Sequence, residues 1–252
     1  MADMTDAQGW RRVAGPGIAA WAAAARPVAE QAVTSSAEAW RCGGTWFVGL
    51  DALPNGPDGA IGGAAFPWAE LGLSPEPLHP AQLSVTRPGY PRQGEEETEA
   101  AFRFRLTRDA AHLDGLLPVG PQKRRMVKEP HGWIVGLPLN RADADAAPLV
   151  VWEGSHRLIG AALRAAFTAS EGAPDTHDIT EAYQAARREV FDTCPRIELP
   201  GDPGTAVILH RHLIHGVARW RDGAEADPPG RMIAYFRPLL PSIADWLRED
   251  AA

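Results

Sequence analysis

Residues 109–118 read DAAHLDGLLP. In an extended chain, side chains alternate between faces, so His112 and Asp114 project to the same side. Leu113, Leu116 and Leu117 mark the segment as destined for the interior. An imidazole and a carboxylate placed together there need partners, because burying polar groups is costly unless they are bonded. The simplest answer is an internal pair in which Asp114 fixes the His112 tautomer. The alternative is a divalent ion.

An ion requires a further ligand, and LHRHLIHGV at 209–217 supplies three candidates: His210, His212 and His215. Two histidines and one carboxylate cover one face of an octahedral metal and leave the other positions open. That donor set suits non-haem Fe(II) chemistry with oxygen. All three stay open as the distal ligand at this point; a regular strand over 206–213 puts His210 and His212 on one face, where they could themselves be a ligand pair. Arg231 follows His215 by sixteen residues and opens the segment GRMIAYFRP. Fe(II) with two neutral imidazoles and one carboxylate carries a single positive charge. A chelating 2-oxoglutarate dianion reverses that charge, and its far carboxylate still calls for a buried cation. A guanidinium binds a carboxylate through two parallel hydrogen bonds, which an ammonium does not do. Arg237, with the same strand parity as Arg231, and Arg219 are rivals.

The totals are compatible with this chemistry. The chain has 252 residues, 45% hydrophobic and 23% charged, enough for one packed domain. A net charge of -7 argues against a nucleic-acid surface. Two cysteines, Cys42 and Cys194, make no disulfide framework and point to a reducing, cytoplasmic setting. No apolar run reaches the ~18 residues of a membrane span. The alanine-rich start after Arg11 and Arg12 faintly imitates an export signal, against which stand Asp3, Asp6 and the Gly15-Pro16-Gly17 interruption.

Period-two patterns and turn signals predict strands within 43–53, 81–90, 131–140, 147–154, 204–217 and 231–240. The alternation of Phe102, Phe104 and Leu106 with Arg103 and Arg105 predicts another over 99–115. Helices are expected over 26–41, 157–169 and 178–192, the last with Asp178 as N-cap and Glu181 completing a capping box. The expected organisation is a single domain over 1–252. It has a helical N-terminal part at about 1–42, a β core at about 43–240 and a helical insert at about 157–192. Strands and helices do not alternate regularly, which excludes a doubly wound parallel sheet.

HLDG at 112–115, WEGSHR at 152–157, HLIHGV at 212–217 and GRMIAYFRP at 230–238 together make the sequence similar to the Fe(II)- and 2-oxoglutarate-dependent dioxygenases, in the phytanoyl-CoA dioxygenase-like branch. The similarity spans roughly the C-terminal two-thirds of the chain. It implies a mainly β fold with flanking helices, a double-stranded β-helix or jelly-roll, cupin-like barrel. It implies iron on His112, Asp114 and His215, with Arg231 holding the far carboxylate of 2-oxoglutarate. The implied reaction uses O2 to oxidise an unactivated C–H bond of a small molecule, with release of succinate and CO2. Asp114 disfavours the halogenase variant, in which a small residue vacates that ligand position. The segment RDGAEADPPG lengthens the interval between His215 and Arg231 beyond what is common in this branch. A cupin-like Zn or Ni isomerase or hydrolase using the same site is the competing reading, and Arg231 is the residue such an enzyme does not need. A non-catalytic binding module with a degenerate site is a third reading, against which stand the intact ligands.

Gln82 and Ser84 share a strand face and are candidate hydrogen-bond donors to cosubstrate or substrate. His131, near a strand entrance, is expected as a structural histidine, with contact to substrate as the alternative. Ser155 and His156 are candidates for the barrel mouth. The basic run Lys123, Arg124, Arg125 and Lys128 is either a solvated surface or a hold on an anionic substrate. Trp46, Trp133 and Trp152 are expected in the core. Oligomeric state leaves no mark in the sequence.

Overall fold

The computed structural model describes residues 7–169 and 173–249; Asp3 and Asp6 lie outside them. The chain is mostly β-sheet with flanking helices. It opens with strand β1 (Trp10–Ala14) and helix α1 (Pro16–Ser35). A single turn, α2 (Arg41–Gly44), leads into β2 (Trp46–Leu53), another, α3 (Trp68–Leu71), precedes β3 (Ala81–Thr86), and α4 (Glu99–Arg108) follows. A hairpin of β4 (Leu116–Val119) and β5 (Arg124–Val127) comes next, then β6 (Trp133–Pro138) and β7 (Leu149–Trp152). Helices α5 (Ser155–Thr168) and α6 (Thr180–Thr193) are followed by β8 (Arg196–Leu199), β9 (Thr205–His210), β10 (His215–Val217) and β11 (Arg231–Phe236). The short α7 (Ile243–Leu247) ends the described chain. No described helix is long and apolar enough to cross a membrane, and both cysteines are free thiols.

Six strands form one antiparallel sheet in the order β1-β9-β6-β11-β3-β2, and three form another in the order β10-β7-β8. Period-two alternation gives each sheet two different faces. In β11, Met232, Ala234 and Phe236 pack under α1 with Ile18, Trp21 and Ala25. On the opposite face of the large sheet, Ile134, Val207 and Leu209 meet Leu149, Val151 and Leu199 of the small sheet. The remaining β7 residues, Val150 and Trp152, pack against α5 and α6 through Ile159, Leu163, Tyr183 and Val190. The layers therefore run α1, large sheet, small sheet, helix pair, and both sheet interiors are apolar where they meet.

Three expectations need correction. The segment 99–108 is helical. Thr98 Oγ1 accepts the Ala101 amide at 3.2 Å as an N-cap, Glu99 and Arg103 form an i,i+4 pair at 3.2 Å, and Asp109 ends the helix in the left-handed region. None of its residues is fully buried. An alternation of three apolar residues in five positions is too short to distinguish strand from helix. The N-terminal helix covers 16–35 instead of 26–41. Pro16 occupies its first turn, where a missing N–H costs nothing, and Glu70 accepts from the amides of Gly17 at 2.8 Å and Ile18 at 2.9 Å. Pro27, which imitates a helix start, sits inside it on the exposed side. Ahead of that helix, β1 pairs with β9, so residues 1–42 contribute an edge strand as well.

Candidate metal centre

Residues His112 and His215 face each other across an antiparallel bridge, each amide donating to the other's carbonyl at 2.9 and 3.1 Å. Such a reciprocal pair fixes the two side chains as direct neighbours. The approach is close on both sides. A Cβ at Gly216 would lie 2.2 Å from the Asp109 carbonyl oxygen, which explains the glycine after the distal histidine. Gly115, with φ +87°, has the Glu129 carbonyl 2.3 Å from where its Cβ would stand. Upstream, Asp109 is buried and held by both arms of Arg196, at 2.7 and 3.0 Å. The segment 109–115 is thus not a long regular strand, as its alternation suggested, but a bridge and turn clamped at both ends.

The Asp114 Oδ1 lies 3.1 Å from His112 Nε2 and 3.8 Å from His215 Nε2, and one donor atom from each residue falls within 4.8 Å of the others. His112 Nδ1 lies 3.0 Å from the Ala110 carbonyl, and His215 Nδ1 lies 3.0 Å from the Leu213 carbonyl. A carbonyl only accepts, so both Nδ1 atoms carry hydrogen and both Nε2 atoms aim at the shared point. Backbone carbonyls fix metal-binding histidines in the same way. The other Asp114 oxygen, Oδ2, accepts from Arg237 at 3.1 Å, and Arg237 also donates to Gln82 Oε1 at 2.6 Å.

Electrostatics follow the packing. Burial works against the Asp114 charge, but the His112 hydrogen bond and nearby cationic groups hold the carboxyl well below its usual range. Burial also opposes a charged His112, but the hydrogen bond to Asp114, the Asp114 charge and the Ala110 carbonyl together outweigh it and raise that imidazole. Burial and then the neighbouring His112 push His215 down to about 4. The His112–Asp114 bond places a proton between two donor atoms of the set, where a divalent ion is the ordinary alternative. Donor chemistry and ring orientation therefore fit a metal.

The three residues line a cavity of about 670 Å³. Its walls include Trp46, Val48, Ile134 and Leu149, so Trp46 is a wall residue, whereas Trp152 is core, as expected. Gln82 and Ser84 both line it, Ser84 Oγ accepting from Trp46 Nε1 at 3.0 Å. Cross-strand register sets Arg231 beside Thr86, Ile233 beside Ser84 and Tyr235 beside Gln82. Tyr235 lines the cavity, whereas Arg231 is buried and does not itself border it. The Thr86 hydroxyl, fully buried, has no hydrogen-bond partner among the described residues. Alternation along β3 from Gln82 and Ser84 leads directly to Thr86, which the sequence reading stopped short of.

Other candidates fall elsewhere. His210 stacks among His156 and His212, with ring centroids at 4.8 and 5.3 Å, away from the triad. Ser155 and His156 begin α5 and do not line the cavity; Ser155 Oγ accepts the Ile214 amide at 2.9 Å, just before His215. His131 does line it, with Nδ1 2.9 Å from the Arg237 carbonyl. Burial and then the Arg237 charge push its imidazole down.

No protein-family model matches the sequence, and no curated protein matches it. Among solved structures, the chain is similar to the non-heme α-ketoglutarate dependent carbocyclase SnoK from nogalamycin biosynthesis, at 13% identity over 94% of this chain and 84% of that one, with a TM-score of 0.45. It is similar to EctD from S. alaskensis with bound Fe, at 16% identity over 92% and 73%, with a TM-score of 0.43. For the non-heme α-ketoglutarate dependent epimerase SnoN the values are 14%, 91%, 78% and 0.46.

Proposed function

We propose that the chain is a non-haem Fe(II)- and 2-oxoglutarate-dependent oxygenase of the phytanoyl-CoA dioxygenase-like kind, hydroxylating an unactivated C–H bond of a small molecule in the cytoplasm. The observation that carries the reading is the convergence of His112 Nε2, His215 Nε2 and Asp114 Oδ1, with both rings locked from behind by carbonyls. The sheet orders support a double-stranded β-helix. Counting β3, the 112–114 segment and then β6 to β11 as eight strands, neighbours run 1-8-3-6 in one sheet and 2-7-4-5 in the other. Successive strands thereby switch sheets except at β7 and β8, which pair within the small sheet, and this is the winding of a jelly roll.

Bound together, iron and 2-oxoglutarate supply the oxidising power by which one oxygen atom of O2 enters the substrate and the other enters succinate, with loss of CO2. The protein's own residues do the rest. His112, Asp114 and His215 would hold the ion from the cavity wall, a donor set that suits Fe(II). Arg237 holds Asp114 Oδ2, which leaves Oδ1 for the metal. Arg231 and Thr86, next along the same strand faces as the cavity-lining Tyr235 and Ser84, would hold the far carboxylate of the cosubstrate. A buried guanidinium beside an unpaired buried hydroxyl is a costly arrangement without an anion to satisfy both. Arg237 is the weaker anchor because it touches a metal ligand, whereas the far carboxylate stands three carbons beyond the chelating end. Gln82 and Ser84 accept from Arg237 and Trp46, so their own donor hydrogens remain for a molecule in the cavity. Asp114 supplies the ligand that the halogenase variant lacks.

Succinate formation from 2-oxoglutarate under air, with and without Fe(II), tests the reading. Iron-dependent succinate is expected, even if slow without the proper substrate. Tight metal binding with no succinate under any condition would shift the assignment to a Zn or Ni enzyme on the same three residues.

A further inference from the structure

A second, smaller cavity of about 190 Å³ lies against the metal segment, sharing His112, Asp114, Leu117, Glu129 and Arg237 with the large one. Its own walls are Arg125 of β5 and Tyr183 and Arg187 of α6. These elements are stitched together: the Arg125 amide donates to Thr180 Oγ1 at 2.7 Å, and the Ile179 amide to the Arg125 carbonyl at 3.0 Å. Tyr183 reaches the metal segment, its hydroxyl accepting the Leu113 amide at 3.2 Å.

The arginines here stand apart from their neighbours. Arg124 pairs with Asp178 and Glu181, Arg196 with Asp109 and Glu198, and Arg221 with Asp145 and Glu198. Among the described residues, no carboxylate forms an ion pair with Arg125 or Arg187. Arg125 Nη1 donates only to the Leu116 carbonyl, at 3.2 Å. Arg187 is enclosed by rings, its guanidinium carbon 5.0 Å from the Phe104 centroid, 5.3 Å from Tyr183 and 6.0 Å from Phe191. Such stacking holds the fork in place but leaves the charge uncompensated. Arg237 is the third guanidinium on the wall, and its Nε is buried without a partner. Two carboxylates face these three cations. Asp114 is engaged by Arg237, and Glu129 is half exposed and lies 3.3 Å from His131. In a chain of net charge -7, Arg125 and Arg187 thus stand on one small recess without a carboxylate partner among the described residues.

We propose that this recess is an anion subsite that takes a carboxylate or phosphate group carried by the substrate. It is too small for a whole ligand of ordinary size, since pockets for those run from about 300 Å³ upward. It suits one terminal group, while the large cavity takes the apolar body and presents it to the metal. The planar forks of arginine match both anions. The proposal rests on the oxygenase reading only in calling the bound molecule its substrate.

Methyl phosphate and acetate, titrated separately into the full chain by calorimetry in a buffer free of other multivalent anions, test it. At least one is expected to bind, and the tighter one identifies the group. Arg187→Gln and Arg125→Gln should each weaken that binding tenfold or more. Arg188→Gln, the same charge change on the exposed neighbour, should not. His215→Ala, at a metal ligand that does not line the recess, should abolish metal binding and keep anion binding, so failure of the metal reading and failure of this one are separable. If Arg125→Gln does not fold, Arg187→Gln decides alone. Absence of binding by both probes, or equal binding by wild type and Arg187→Gln, overturns the proposal. So does loss of 2-oxoglutarate binding in Arg187→Gln with normal binding in Arg231→Ala, which makes the recess a cosubstrate anchor.

Discussion

Asp114 divides its two oxygens between unlike partners. Oδ1 faces the histidines and Oδ2 faces Arg237. Removing the carboxylate in Asp114→Ala should abolish binding of Co(II) or Fe(II) at micromolar metal. Removing only the guanidinium in Arg237→Gln should leave all three ligands and weaken the metal by about 10–100-fold, the usual cost of losing an outer partner. A Co(II) absorbance titration reads both, and unchanged affinity in Arg237→Gln would deny Arg237 its positioning role. The cosubstrate makes a different demand. Arg231→Ala should raise the Kd for 2-oxoglutarate more than tenfold and Thr86→Val severalfold, with the metal titration unmoved; equal losses of metal and cosubstrate would count against Arg231. At this scale much of the site was legible. His112, Asp114, His215, Gln82 and Ser84 stand together because spacing and strand parity are written in the sequence. Arg237's contact with Asp114 and the recess formed by Arg125 and Arg187 were not, because they depend on how the 116–127 hairpin seats on α6.

Helix ends show how local chemistry sets the elements around the site. The structure begins α6 at Thr180, so Asp178 stands one residue before the N-cap position. It still does a cap's work, Oδ1 accepting from the Thr180 amide at 2.9 Å and from its hydroxyl at 2.6 Å, with Oδ2 paired to Arg124. Glu181 does not complete a capping box; it faces solvent near Arg124. Burial works against the Asp178 charge, but the Thr180 hydrogen bonds and Arg124 together outweigh it and lower the carboxyl to about 2. A lowered carboxylate contributes stability above its ordinary value that disappears as pH falls through the shifted one. Asp178→Ala should therefore cost about 1 kcal/mol at neutral pH. The gap from wild type should close as pH falls from about 4 toward 2. Thermal melts at several pH values measure this, and a gap that persists at pH 2 would assign the loss to something other than charge. The helix and strand segments with long periodic patterns were readable. Residues 99–108 were not, because a cap and an i,i+4 pair outweighed a short alternation, and β1 was missed because an edge strand of five residues carries little pattern of its own.

Across the whole molecule, the three ligands come from the clamped 109–115 segment and from β10, which is the edge of the small sheet. The backbones of the two segments are joined by the reciprocal His112–His215 bridge and by the Val217 amide, which donates to the Asp109 carbonyl at 3.0 Å. A bound ion adds a further link that the unfolded chain does not possess. Binding to the folded state alone stabilises it by mass action, by about 2.7 kcal/mol at a free metal concentration one hundred times Kd. For a chain of this size each kcal/mol shifts Tm by about 2–4 °C, so Co(II) at that concentration should raise Tm by roughly 5–10 °C. A chelator should reverse the rise, and Asp114→Ala should show none. The recess variant Arg187→Gln should retain the full rise, because its guanidinium acts on an anion and not on the ion. Scanning calorimetry of wild type and both variants, with metal and with chelator, reads all of these together. A metal-induced rise that survives in Asp114→Ala would place the ion somewhere other than between these strands.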